Sequence, residues 1–559
     1  MRSIIATLLA LSTIPIQSYC QSFSKEAEKS SKSLLSVMTY NKSGQLLKAG
    51  TGFFLSGNGD AISSYTLFNG ADSAVVVDAS GKSFPVNYIL GADDTYGLVR
   101  FSVDTKKSPS IPISTRQQPT GTSCQATAYD GKQRTAQPLS ITAVTTFNDT
   151  CSYYELSKEL ANSYMGSPLI NKNGELIGVV QNTIAGKSYA VDTRFLGSLT
   201  ISALSSRLHG IALDNIHIPK GLPENEQESL VYLFFKSKNT SNEEYLAMLN
   251  LFVSRWPANP EGYFRRSTPL MDMTRFEEAD RDLQTYLKLS KEKDRALYNT
   301  AQLIRTKLLY QPEHEYSKWT FSYALGLINE AITLNPLMEY KLERAQLYTA
   351  MKDHDKAYQE YEQMLQGPDR APAVYYALSL VSEARGDAVE RQIEMLDSAL
   401  AMYADPLPAE AANYVLRRGQ LFNKAGKYRN AVLDYNKFCF LNNNKVNAQF
   451  YYDRSEIEMK AHLYQQALDD LTAAVSQAPG EPLYYIEKAA LQLRVNLIDD
   501  CIATCQQCLK VTDRYPDLFR ILGYAYAQKG NKGEALRMLN RAIQLGDASA
   551  QELIDKYVK

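Results

Sequence analysis

Asn162-Ser163-Tyr164-Met165-Gly166-Ser167-Pro168-Leu169-Ile170-Asn171-Lys172-Asn173-Gly174-Glu175-Leu176-Ile177-Gly178-Val179-Val180 reads as a turn, a short apolar strand, a tight turn at Lys172-Asn173-Gly174, and a second apolar strand. Runs of the same kind precede it. Thr51 to Leu55, Ser73 to Asp78, Phe84 to Leu90, Tyr96 to Val103, Cys124 to Tyr129 and Leu139 to Phe147 are β-like and are punctuated by Gly, Asn and Asp turns. Strands at this spacing predict an all-β barrel or sandwich over roughly residues 25–210. Thr193 to Arg207 reads as a closing helix. Residues 211–225, with Pro219, Gly221 and Pro223, read as a linker in which His217 is exposed, with His209 just before it.

The opening stretch resembles the nucleophile segment of trypsin-like serine proteases, especially the exported HtrA/Deg type. That pattern runs G-N-S-G-G-P-L, then a hairpin, then G-x-x-I-G-I. Gly50-Thr51-Gly52-Phe53 looks like the family's opening G-S-G-F strand. Gly59-Asp60-Ala61-Ile62-Ser63-Ser64-Tyr65-Thr66-Leu67-Phe68 looks like its histidine segment, G-Y-I-V-T-N-x-H-V-V. Thr95-Tyr96-Gly97-Leu98-Val99-Arg100 looks like its aspartate segment, D-L-A-L-L-K, and Tyr189-Ala190-Val191 resembles the closing strand. The resemblance implies a trypsin-like double β-barrel over residues 21–210. It places Thr66 at the histidine, Thr95 at the aspartate, Met165 at the serine, and Ser163 at a glycine of the oxyanion hole.

The chemistry of those residues argues against catalysis. A thioether has no proton to lose and cannot act as the nucleophile. Residues 25–200 contain no histidine, the usual base of near-neutral pKa. A β-carbon at Ser163 disfavours the positive-φ peptide that aims an N–H at an oxyanion. Asp94, one place from Thr95, would return an acid in a slipped register but not the other two members. A shifted register at Asn162-Ser163, with Lys158 or Lys172 as base, keeps an active protease open as the alternative. No catalytic residue is therefore assigned.

At 559 residues the chain exceeds one core, so at least two domains are expected. Basic and acidic residues balance at 60 against 61, which argues against a nucleic-acid or anionic-membrane partner. Residues 1–20 read as a secretory signal: Arg2, an apolar run from Ile4 to Ile14, and Ser18-x-Cys20 before Gln21. The run is too short to span a membrane, and no later segment does so. Bulky Tyr19 favours soluble export, periplasmic or secreted, over lipid anchoring at Cys20. Cys124 and Cys151 are free to pair in an oxidising compartment, which their spacing does not decide.

The second half repeats. Units starting at Ala412, Ala448, Pro482 and Pro516 are spaced by 36, 34 and 34 residues. Each carries a small residue where paired helices would cross, with aromatics between. Weaker units start near Glu226, Pro260, Met338 and Ala373, and one over 293–337 carries an insertion, Gln311 to Trp319. The pattern resembles the tetratricopeptide (TPR) repeat, giving about nine units over 226–547 and a capping helix at 548–559. Cys501-x3-Cys505-x2-Cys508 has an iron–sulfur spacing, but all three fall on the buried seam and read as small apolar residues. No metal or cofactor is expected. The TPR resemblance puts Gln420, Lys424, Tyr452, Glu456, Lys460, Arg494 and Tyr524 in a concave groove for a protein or peptide. Its carboxylate clamp is missing, since Leu416, Gln420, Tyr452 and Glu456 hold the key places.

The expected fold class is therefore multidomain: an all-β trypsin-like double barrel followed by an all-α TPR solenoid. The expected function is an exported protein-binding scaffold with an inactive protease domain. An active exported endopeptidase that recruits through its repeats, and a purely structural assembly protein, are the alternatives. The oligomeric state is not set by the sequence.

Overall fold

The computed structural model describes residues 29–558, apart from 106, 148–150, 182, 184 and 203–209. The expected signal segment and His209 lie outside the described residues. The chain divides into two compact units between Lys291 and Glu292.

The first unit opens with two closed six-stranded antiparallel barrels. The first contains β1 (Leu34–Tyr40), β2 (Leu46–Phe54), β3 (Asp60–Ser64), β4 (Ser73–Asp78), β5 (Ser83–Asp93) and β6 (Leu98–Val103), joined in the order 1-2-3-6-5-4. The second contains β7 (Ser123–Tyr129), β8 (Arg134–Phe147), β9 (Cys151–Leu156), β10 (Pro168–Asn171), β11 (Leu176–Val180) and β12 (Tyr189–Asp192), in the order 10-11-12-9-8-7. Successive residues of a strand point to opposite faces, and both faces are used here. Phe54, Ala61 and Val99 fill the first barrel, while their neighbours Phe53, Ile62 and Leu98 pack with Ile170, Leu176, Val179 and Val191 between the barrels. Cys124, Ile141, Tyr154 and Leu169 fill the second barrel. Cys124 and Cys151 are buried, unbonded, and sit in different cores.

The segment read as a linker is packed chain. Ala212, Leu213, Ile216 and Ile218 complete the first barrel's core. Ile89 pairs in parallel with Lys220, and Gly91 admits the Leu199 carbonyl where a β-carbon would lie 2.4 Å from it. Burial lowers the Lys220 amine to about 8; it donates to the carbonyls of Ile216 and Ile218. His217 is exposed, as expected, and pairs with Asp72 at 3.1 Å. The expected closing helix is instead 3-10 turns over Thr193–Ser198, after which the described chain has no regular structure to residue 202. Ile201 and Leu222 then enter the core of the first helix pair, Glu226–Lys236 and Asn242–Arg255. Arg100 ties the same junction, forked onto Asp60 at 2.8–3.1 Å and reaching Glu224 at 3.0 Å. A second pair, Pro260–Asp272 and Phe276–Leu289, completes this unit.

The second unit is all helix. It has seven successive pairs between Lys293 and Gln544 and a last helix, Ala550–Tyr557, packed on the final pair. The long pair Lys293–Tyr310 and Phe321–Leu334 encloses the 311–319 insertion, whose Trp319 is fully buried. The fourth residue of the second helix is Ala324, Ala357, Ala431, Ala467, Cys501 or Ala535, each with no exposed surface; Gln392 is the exception at 1 %. A small residue there lets the two helices approach. The cysteine run follows the same seam, with Cys501, Cys505 and Cys508 all buried and unbonded.

An ion ladder joins the pairs. In each of four pairs an arginine of the first helix forks onto an acid sixteen residues later in the second. The pairs are Arg266–Asp282, Arg344–Glu360, Arg418–Asp434 and Arg454–Asp470, at 2.6–3.0 Å. The same guanidinium reaches back to Asn250, Asn329, Asp397 and Asn436 respectively. Such a fork holds two helices in one register because both nitrogens must be satisfied together.

Candidate functional site

The cleft between the barrels is where the sequence places a protease's reacting groups. Its lining combines Thr66, Asp94, Thr95, Tyr96 and Gly97 of the first barrel with Thr145, Tyr153, Gln181 and Tyr189 of the second, around a cavity of about 400 Å³. Thr66 sits in a one-turn helix, Tyr65–Phe68, whose start Ser64 caps by accepting the Thr66 amide at 3.3 Å. Thr95 follows β5, and its carbonyl accepts the Tyr153 hydroxyl at 3.2 Å. So the fold does bring Thr66 and Thr95 to one cavity. The buried acid beside them is Asp93, which accepts the Tyr96 amide at 2.8 Å. The sequence reading missed it, although its position at the end of an apolar strand was a signal.

Neither Met165 nor Ser163 is among the lining residues of the cavity between the barrels. Met165 packs against the first barrel's core. Ser163 lines a separate cavity of about 220 Å³ with Ser36, Gly50, Tyr129 and Asp130, and its carbonyl accepts the Thr51 hydroxyl at 3.1 Å. Neither Lys158 nor Lys172, both exposed, is among that cavity's lining residues, so no Ser–Lys pair is assembled there.

The turn itself decides what the backbone offers. Asn162–Tyr164 forms one 3-10 turn, in which the Tyr164 amide donates to Ala161 and the Met165 amide to Asn162, both at 3.0 Å. An oxyanion hole needs such amides free and aimed at the developing charge. Here the amide at the nucleophile position is already bonded inside its own turn. Gly166 then takes φ +80°, and a β-carbon there would lie 2.3 Å from the Thr51 carbonyl, so only glycine closes this turn against β2.

The seven helical candidates are dispersed along the second unit. Gln420, Glu456 and Lys460 are exposed. Lys424 pairs with Glu383 at 2.8 Å. Tyr452 reaches the next pair, its ring 5.4 Å from Tyr484, and its phenol is pushed up to about 12 by burial and by Glu456 and Glu487. Arg494 lies over the Tyr464 ring at 5.2 Å, and Tyr524 packs on Tyr557 at 5.0 Å. Among the described residues no group of three or more His, Cys, Asp or Glu could hold a metal, and no helix is long and apolar enough to cross a membrane.

Residues 50–179 match the profile of the family described as Trypsin-like peptidase domain. No curated protein matches the chain. Among solved structures, the serine endoprotease of Yersinia pestis is 20% identical, with a TM-score of 0.28, over 32% of this chain and 64% of that one. The active form of the Rv3671c protease of M. tuberculosis is 18% identical, with a TM-score of 0.28, over 31% of this chain and 82% of that one. An inactive-form mutant of the same protein gives 18% and 0.27, over 31% and 87%.

Proposed function

We propose that the chain is an exported protein-binding scaffold, in which a trypsin-like domain without peptidase activity is joined to TPR-type repeats. The observation that carries this reading is the Met165 amide, held at 3.0 Å by Asn162 within its own turn. A thioether on that residue and threonines at the positions of the histidine and aspartate support the reading, since neither side chain supplies the usual nucleophile or base. The recurrent helix pairs support the binding role, because stacked pairs expose a continuous surface suited to an extended partner. Export rests on the sequence of residues 1–20. A fluorophosphonate probe that labels activated serines tests the catalytic half of the proposal: no labelling is expected, and stoichiometric labelling at Ser163 refutes it.

A structural role for the barrels is favoured by a separate observation. Ile201 and Leu222, which run on from the barrels, are buried in the core of the first helix pair. The barrels then act as the cap that the first pair would otherwise need. Deleting residues 1–220 should unfold the Glu226–Arg255 pair first; unchanged amide protection there would overturn this role.

A further inference from the structure

We propose that the cavity between the barrels binds an alkylammonium group. This rests on reading the cleft as a binding rather than a catalytic site. No lysine, arginine or histidine is among the cavity's lining residues; three tyrosines, Tyr96, Tyr153 and Tyr189, are, and the single charge is the Asp94 carboxylate. Tyrosine faces carry negative quadrupole density and attract a cation within about 6 Å of the ring centroid. The Tyr96 and Tyr153 centroids are 6.2 Å apart with their planes inclined by 43°, and Phe147 takes one face of Tyr96, so a cation at the cavity wall can lie within range of both rings without sitting between them.

The rings are already fixed. Tyr96 stacks on Phe147 at 4.4 Å and meets the edge of Phe195 at 4.2 Å, and Tyr153 donates its hydroxyl to the Thr95 carbonyl. A ring held before the ligand arrives costs little ordering entropy on binding. Buried Asp93 adds a second negative charge behind the tyrosines: burial, Tyr96 and Asp93 together push the Tyr153 phenol up to about 12. Burial, the largest of these, resists charge of either sign; only the carboxylate contribution favours a cation. Lys48, whose ammonium donates to the Thr66 carbonyl at 2.7 Å, is the cation beside the cavity, and a neutral ligand gains from Asp94 only a hydrogen bond, without the charge attraction an ammonium adds. Gln181, also on the lining, carries an amide oxygen of the kind that accepts an ammonium hydrogen where the ligand has one.

The ligand chemistry is shared by a lysine side chain and by a free amine or choline-type compound. Calorimetric titration of the full chain with butylammonium, choline and N-acetyl-lysine methylamide, each against its neutral isostere, separates these. Each cation that binds should do so about tenfold more tightly than its isostere, as expected of an aromatic site with one carboxylate. Preference for the capped lysine assigns a protein source, and preference for choline a small molecule. Asp94→Asn should weaken the cation about tenfold. Tyr153→Leu should weaken it similarly while Tyr153→Phe holds it within about twofold, because the ring and not the hydroxyl is engaged. Equal binding of cation and isostere, binding of a neutral sugar instead, or no saturable heat with any cation overturns the proposal. Peptidase activity would overturn the non-catalytic reading without altering these titrations, so the two failures are distinguishable.

Discussion

Gly523 and Gly326 should answer the same substitution differently. Gly523 lies in the helix Pro516–Gln528, and an added β-carbon there would stand 2.7 Å from Leu539 Cγ, 3.0 Å from its Cδ2 and 3.1 Å from its backbone nitrogen. Leu539 is fully buried, and its backbone belongs to the helix Lys532–Gln544. Rotating the leucine therefore does not clear the contact, and the helices must separate. Gly326, exposed in the helix Phe321–Leu334, has no heavy atom within 4 Å of the same point. Replacing a helical glycine by alanine stabilises by about 1 kcal/mol, while overpacking costs about 1–3 kcal/mol. Gly326→Ala should then gain about 1 kcal/mol, and Gly523→Ala should fall below it by the overpacking cost. Gly523→Leu, which must also place its branches, should lose about 1–3 kcal/mol net. Urea unfolding with amide exchange read at residues 516–544 measures both. Equal stabilisation by the two alanines would refute the packing argument at the helix crossing.

Arg418→Ala should cost about 3–5 kcal/mol, because it strands the buried Asp434 carboxylate, whose pKa burial already raises; thermal unfolding compares it with the double variant that also carries Asp434→Ala, which should recover part of the loss. Burial, Asp470 and Asp469 push Glu458 up to about 8 from the ordinary 4.5 despite Arg454, so the folded state holds a proton that the unfolded state releases. Stability should therefore fall as pH rises from about 4.5 to 8, and Glu458→Gln should flatten that slope in a pH series of unfolding midpoints. The six described thiols are buried, and burial raises Cys124 to about 12, so a thiol reagent should label none of them until urea is added; Cys505→Ala should leave the protein colourless and folded. Restoring Thr66→His, Thr95→Asp and Met165→Ser together should give no turnover near a working protease on casein, since one missing oxyanion donor alone costs about 10²–10³.

Much of the fold was legible because period and punctuation agreed. The unit starts Ala412, Ala448, Pro482 and Pro516 are the observed helix starts, and the Lys172-Asn173-Gly174 turn joins β10 to β11 as read. The strands β1, β3 and β9 were not read as strands; Asp60–Ser64 is buried at every position and so shows no alternation. Leu34–Tyr40 buries residues on both of its faces, so it shows no alternation, and Cys151–Leu156 mixes polar and aromatic side chains between two walls. Residues 211–225 were misread for the same reason proline and glycine mislead elsewhere. They break regular structure without implying exposure, and the alternation of Ile216 with Ile218 was the overlooked sign of burial. The arginine ladder was readable as a sixteen-residue spacing from Arg266, Arg344, Arg418 and Arg454, but only once the helix pairs were aligned. At the cleft, Thr66 and Thr95 could be placed together from sequence. The bonded Met165 amide could not, because a hydrogen bond within a single turn leaves no pattern in residue type.

The central claim is that this trypsin-like domain does not cleave peptide bonds. Hydrolysis of casein and of a peptide library by the wild-type chain and by Ser163→Ala tests it most directly. Neither protein should show specific cleavage. Specific cleavage by the wild type that Ser163→Ala abolishes would contradict it and install the shifted register at Asn162-Ser163.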